Sequence, residues 1–221
     1  MKHIVKSTEP PTFAAWKTTH AAHIASIGND ARALWDYWGQ HHGGAKNDLK
    51  HQLLDDQGFI CCYCMQGIQH DPNTSIEHVE PKSSDPQALA FDWNNLLAAC
   101  NGSRPDPQPR ELICDAEKGN QFIKVSPLHV TCESQFEFKQ LDGAISGKTT
   151  DAVDTIAILN LNASKLKRLR SAVIAQELEE TTDPVVAASR IPALLTKSST
   201  GRFSPFCLAL ISFLKFEFNL P

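Results

Sequence analysis

The sequence predicts an α+β fold, with a small β-containing module dense in cysteine and histidine embedded in a mostly helical body. Three observations carry this. Apolar residues recur at helical spacing before residue 58 and again from residue 150 onward. Between residues 59 and 120 that period stops, and short apolar runs alternate with turn sequences such as Asp71-Pro72-Asn73 and Ser83-Ser84-Asp85-Pro86. Of the 221 residues, 42% are hydrophobic and 21% charged, a composition that buries a core and excludes a fibrous or disordered chain. The expected organisation is a helical region over 1–58, the module over 59–122 and a mainly helical region over 123–221.

Residues 14–27 and 31–38 carry helical apolar spacing, and Gly43-Gly44 separates them from a third helix over 47–54. Trp16, Trp35 and Trp38 read as core packing. The pattern stops at Asp55-Asp56-Gln57-Gly58. A short hairpin, an irregular loop and a helix beginning near Cys114 follow. A second β-segment is expected around Phe136-Glu137-Phe138, closed by a turn at Asp142-Gly143. Thr150 is placed to N-cap a helix carrying Val153, Ile156 and Leu159. Asn162 is placed to cap the next, with Leu166, Leu169, Val173 and Leu178 on its inner face. Two more helical segments, 185–195 and 205–216, complete the chain, which shows no internal repeat or low-complexity tract.

Lysine and arginine number 21 against 25 aspartates and glutamates, a net charge of -4 that excludes a globally basic nucleic-acid coat protein. Any nucleic-acid contact must be local, metal-assisted or shared with a partner. The longest strongly apolar stretch, 206–214, is interrupted by Ser212, closed by Lys215 and too short to span a bilayer. The opening Met1-Lys2-His3-Ile4-Val5-Lys6 lacks an apolar secretory region, so the expectation is a soluble cytoplasmic protein without a membrane partner.

Seven cysteines, an odd number, point to reduced thiols, some of them metal ligands, rather than a disulfide framework. Cys61 and Cys64 form a C-x2-C pair, a spacing that turns two thiolates inward on one knuckle. Cys100 and Cys114, separated by a stretch containing Pro105, Pro107 and Pro109, offer the second pair of a tetrahedral Zn2+ site. Cys62 competes with its neighbour for the first pair, though x2 suits the knuckle better. Cys132 and Cys207 read as packed thiols.

Between the pairs lies Ser75-Ile76-Glu77-His78-Val79-Glu80-Pro81-Lys82. Phosphodiester hydrolysis needs a base for water, a divalent cation on the phosphate and leaving oxygen, and groups that orient both. Glu77 suits a hard cation, and His78, titrating near neutrality, suits the base. On a regular strand the two point to opposite faces, so a bulge or strand end must bring them together.

Taken jointly, Cys61-x2-Cys64, Glu77-His78-x2-Pro81-Lys82, Asp92-Trp93-Asn94-Asn95-Leu96-Leu97-x2-Cys100 and Cys114-Asp115-x2-Lys118-Gly119 resemble the HNH nuclease motif with a zinc knuckle. More narrowly they resemble the PtuB-type HNH proteins of Septu and retron-associated anti-phage systems. The resemblance implies a ββα-metal module. It makes His78 the general base, Glu77 an acidic ligand of Mg2+ or Mn2+, and Asn95 the residue that holds the loop and orients the histidine. It places Asp115 where the family often has its last His or Asn, with Asn120 as the alternative ligand, and gives Lys118 a contact to phosphate or developing charge. The four cysteines would hold structural Zn2+. The implied partner is a PtuA-like ATPase.

Residues 77–118 contain eight acids and four bases, including Arg104, Asp106 and Arg110, a net -4 that would repel a polyanion without its metal. Lys82 and a basic face formed by Lys165, Lys167, Arg168 and Arg170 offer compensating contacts. The expected function is a metal-dependent HNH endonuclease, the effector of an anti-phage complex with a partner ATPase. DNA is favoured as substrate, with RNA such as tRNA open. The alternative is a non-catalytic zinc-stabilised adaptor that docks the ATPase. A zinc-finger-like DNA reader fits less well, because the knuckle encloses an acidic segment rather than a basic helix.

Overall fold

Three helices open the chain in the computed structural model, which describes residues 1–102, 111–139 and 142–221. The first, α1 (Pro11–Ile27), begins on a proline, where a missing N–H costs nothing. Asp30 caps α2 (Ala31–His41), its carboxylate accepting from the Arg32 and Ala33 N–H groups at 3.0 and 2.9 Å. The third helix, α3 (Ala45–Gln57), continues through the Asp55-Asp56-Gln57 stretch expected to end it. Gln57 is buried, and its amide donates to Ile60 O and Ala98 O and accepts from Ala98 N–H, so the extra turn is anchored from the core side. Gly58 then takes a φ of 60° with the Phe203 ring against it, a position that needs glycine. Trp16 and Trp38 meet edge to face at 4.4 Å between centroids inside the helical layer, while Trp35 is only half-buried.

Beyond α3, β1 (Thr74–His78) and β2 (Leu96–Cys100) pair antiparallel, from Thr74 opposite Cys100 to His78 opposite Leu96. Residues 79–95 link them through a short α4 (Pro86–Leu89) and a 3-10 turn over Trp93–Asn95, so the expected short hairpin is a strand pair with a long connection. Every residue of β2 is buried, and the strand packs against α3 and the short α5 (Cys114–Lys118). Arg104, Asp106, Arg110 and the prolines at 105, 107 and 109 lie outside the described residues.

The C-terminal part places β3 (Phe136–Phe138) antiparallel to β4 (Ile145–Gly147), followed by α6 (Thr150–Ile158), α7 (Ser164–Glu180), α8 (Pro184–Leu195) and α9 (Cys207–Glu217). Several expectations are corrected here. Thr149, not Thr150, caps α6, accepting from Ala152 N–H. Val153 is 52% exposed rather than part of an inner stripe. Asn162 caps nothing; its amide bonds both N–H and C=O of Ile145 at 2.8 Å and pins β4.

The inner face of α7 is Leu166, Arg170, Ile174 and Glu177, whereas Leu169 and Leu178 are exposed. Two charged residues take core positions because each is satisfied there. Arg170 donates to Gly143 O and Leu161 O. Glu177 accepts from Arg190 Nε at 2.8 Å and from Thr181 Oγ1 at 3.2 Å. Arg170 is therefore not part of an exposed basic face. The buried apolar residues form one cluster running from Met1 to Leu214. Among the described residues no helix is long and apolar enough to cross a membrane.

Candidate active site

Residues 59–68 form a tight turn. Ile60 bridges Gly67, Cys61 N–H donates to Gln66 O at 2.9 Å, and Met65 N–H returns to Cys61 O at 3.1 Å. Cys61 and Cys64 lie on this knuckle, Cys100 ends β2, and Cys114 opens α5. The four sulfurs lie within 4.8 Å of one another, all buried, with Cys64 Sγ and Cys100 Sγ 4.0 Å apart. The edge of a tetrahedron with metal–sulfur bonds of ~2.3 Å is ~3.8 Å, so the donor set fits a thiophilic tetrahedral metal such as zinc. The Cys100 N–H points at Cys61 Sγ at 3.3 Å, a donor that favours the thiolate a metal needs. Cys62 stands outside the cluster, and burial pushes its thiol well above the ordinary range. Cys132 and Cys207 are fully buried apart from it.

One turn away, the end of β1 opens onto a cleft of about 550 Å3 that Glu77, His78, Asp115, Lys118 and Asn120 all line. His78 is the last residue of its strand, still in register opposite Leu96, and both it and Glu77 line the cleft, as do Thr74, Ser75 and Ile76 before them. Its Nε2 lies 3.1 Å from Ala90 O. A carbonyl only accepts, so this nitrogen carries the proton and Nδ1 keeps its lone pair. The ring is 6% exposed, with the Trp35 indole meeting it edge to face at 4.7 Å between centroids. Burial lowers its pKa to about 4, outweighing the pull of the Ala90 carbonyl, so the imidazole is neutral at pH 7.

Glu77 is the centre of a buried polar network. Tyr63 Oη donates to its Oε1 at 2.8 Å, and the Lys118 ammonium reaches the same oxygen at 3.0 Å. Lys118 is 1% exposed and also donates to His78 O at 2.9 Å, so its ammonium bonds protein groups beneath the cleft. Burial and the adjoining Asp115 carboxyl push Glu77 up to about 8, against the attraction of Lys118. Both carboxyls lie on the cleft wall, the residue types that a hard divalent cation would use. Asn120 lines the same cleft from the residue after Gly119 and is exposed.

Asn95 does not line the cleft. Its Oδ1 accepts from Glu80 N–H at 2.7 Å, and its Nδ2 donates to Glu80 O at 2.9 Å and Leu89 O at 3.3 Å. These bonds clamp the chain leaving His78 to the segment that ends in Ala90, the residue holding His78 Nε2.

The cleft's charge differs from that of its stretch of sequence. Lys46, Lys50, Lys82 and Lys118 line it against Glu77 and Asp115, whereas Glu80, Asp85, Asp92, Glu111 and Glu117 do not. Among the described residues, the acidic patch expected from residues 77–118 is thus corrected to a cleft with more lysines than carboxylates. Lys82 Nζ sits 5.6 Å from the Trp35 ring centroid. Lys165 and Arg168, on α7, line two other depressions, Lys165 beside Asn101 and Gly102 and Arg168 beside Asp142.

Sequence reasoning missed Tyr63, Trp35, Lys46 and Lys50. The only signal for the lysines is their i, i+4 spacing on α3 beside the buried Leu49 and Leu53.

No family model matches the chain. A curated Escherichia coli protein named "Retron Ec83 putative HNH endonuclease" is 25% identical over 214 aligned positions, covering 79% of each chain. The chain is similar to a protein of that name, which supports a nuclease. Coverage of that extent reaches beyond residues 59–122, so the similarity includes part of the helical body as well as the Cys/His-rich module.

Proposed function

We propose that the chain is a metal-dependent HNH endonuclease that hydrolyses phosphodiester bonds, with β1, β2 and α5 as the ββα-metal element of residues 59–122. The observation that carries this reading is the shared cleft. A neutral histidine with a free Nδ1 and a carboxyl pair open onto one cavity ringed by lysines.

In this reading the lone pair of His78 Nδ1 takes a proton from the attacking water, while the Ala90 carbonyl holds the ring in the required tautomer. Glu77 and Asp115, with Asn120 as the alternative to Asp115, would hold Mg2+ or Mn2+. Such a cation supplies charge stabilisation at the phosphate and the leaving 3′ oxygen. Lys118 fixes both halves of the dipeptide, binding the Glu77 carboxyl and the His78 carbonyl. Asn95 positions the histidine through Glu80 and Leu89. Lys46, Lys50 and Lys82 supply the positive rim for the polyanion. Cys61, Cys64, Cys100 and Cys114 would hold structural Zn2+ and take no part in the reaction.

DNA is the favoured substrate, because this chemistry makes no use of a 2′-hydroxyl, and RNA is cut by the same route if it enters. The retron name of the relative and the resemblance to Septu proteins support an anti-phage effector with a PtuA-like ATPase partner. The test incubates the purified chain, alone and with a PtuA-like ATPase, with plasmid DNA and total tRNA in Mg2+ or Mn2+. Cleavage by the wild type that His78→Ala abolishes, with zinc retained and the variant still folded at the assay temperature, is the expected outcome. No cleavage in any combination, with zinc bound, would replace this reading by the adaptor.

A further inference from the structure

Tyr63 sits between two of the four clustered cysteines, yet its side chain leaves the knuckle. The ring is fully buried, and its hydroxyl donates to Glu77 Oε1 at 2.8 Å. Because Lys118 also binds Oε1, two donors on one oxygen fix the rotation of the carboxyl. Oε2, the oxygen these two donors do not use, would then be the one left for a cation. The phenol is itself held by its neighbours: its backbone lies in the turn closed by Cys61 and Met65, and Cys61 and Cys64 on either side belong to the sulfur cluster. The nearest residue in the same turn, Cys62, makes no comparable reach; its N–H is bound to Ala98 O.

We propose that Tyr63 is a positioning residue that couples the cysteine cluster to the cation site. The knuckle holds the phenol, the phenol holds Oε1 of Glu77, and Oε2 is thereby presented to the cation. This rests on the reading of Glu77 as a cation ligand. A buried tyrosine whose hydroxyl merely finds a partner would leave the cation site indifferent to its loss.

The chain has two tyrosines, Tyr37 and Tyr63, so 3-fluorotyrosine labelling gives two fluorine resonances, which Tyr37→Phe assigns. Adding Mg2+ is expected to shift the Tyr63 resonance in the wild type and leave it unmoved in Glu77→Gln. In parallel, Tyr63→Phe should bind Mn2+ about tenfold more weakly by calorimetry, while retaining its zinc, in line with the effect of outer-shell partners on metal affinity. Mn2+ affinity unchanged in Tyr63→Phe, or a Tyr63 resonance that ignores bound Mg2+, overturns the proposal and leaves the cation reading standing. A wild type that binds neither ion overturns both. The fluorine measurement needs no substitution at Tyr63, so it decides the matter even where Tyr63→Phe fails to fold.

Discussion

Cation binding at Glu77 should be steeply pH-dependent, and the structure sets the slope. Burial and Asp115 hold Glu77 at about 8, so near neutral pH a proton must leave before a cation binds. For one displaced proton, apparent affinity falls about tenfold per pH unit well below 8, and about 25-fold between pH 8.5 and pH 6.5. Mn2+ calorimetry at those two pH values, in buffers of contrasting ionisation heat, measures both the slope and the proton count. Close to one proton should be released at pH 6.5. The same raised pKa costs stability when no cation is bound. Below about 4.5 both folded and unfolded states hold the proton and the effect is absent. As pH rises towards about 8, the unfolded chain ionises first and the folded state loses ground by a few kcal/mol, roughly 1.4 per unit of difference. Bound cation should reverse that loss. Equal Mn2+ affinity at both pH values, with no proton released, would refute the reading of Glu77 as a buried, cation-seeking carboxyl.

Three further outcomes follow from the geometry. Asn95→Ala removes three bonds beneath the His78 loop, and a loss of about 2–3 kcal/mol should lower the melting temperature by roughly 4–12 °C. Cleavage by the folded fraction should fall about a hundredfold as the imidazole loses its alignment, with KM little changed. Cys64→Ser should abolish metal binding and cost several kcal/mol in thermal denaturation, whereas Cys62→Ser should keep the metal, since its sulfur lies outside the cluster. Replacing Lys46, Lys50 and Lys82 by Ala should flatten the dependence of log affinity on log salt, read by fluorescence anisotropy. The slope should change by about 0.9 for each duplex phosphate that the variant no longer neutralises. An unchanged salt slope would remove those lysines from the substrate path.

The parts of the site that were legible in the sequence are those carried by short spacings. C-x2-C announces a knuckle because two thiolates separated by two residues turn the same way, and the four sulfurs do converge. The Glu77-His78 pair demanded a strand end, and β1 ends at His78. What escaped depends on how distant segments meet across the fold. Lys46 and Lys50 belong to α3, and nothing local on that helix shows that its rim borders β1. Tyr63 reads as a spacer between ligands until its hydroxyl is seen on Glu77. The stripe on α7 differs from expectation because periodicity assigns leucines inward. The helix instead buries Arg170 and Glu177, held by partners that a count of apolar spacing does not register: Gly143 and Leu161 for the arginine, Thr181 and Arg190 for the glutamate. Asn162, an ordinary cap candidate by composition, is claimed by the backbone of Ile145.

The charge of the cleft also changes the case for a partner. Counted along the sequence, the segment from Glu77 to Lys118 carries the -4 of the whole chain, which would repel a polyanion without its metal and would suit a partner that delivers substrate. Folding undoes that count. Glu80, Asp85, Asp92, Glu111 and Glu117 stay off the cleft wall, and α3 brings Lys46 and Lys50 onto it, so among the described residues a phosphate entering the site meets more cations than anions before any metal binds. Electrostatic deficiency therefore gives no reason for a delivery subunit. What supports a partner ATPase is the resemblance to Septu proteins and the retron name of one relative. Under the proposed function, a partner ATPase would then act by restraining the nuclease rather than by supplying missing positive charge. The assay with and without the ATPase separates the two roles by sign: a delivery subunit raises cleavage by the isolated chain, and a restraining one lowers it.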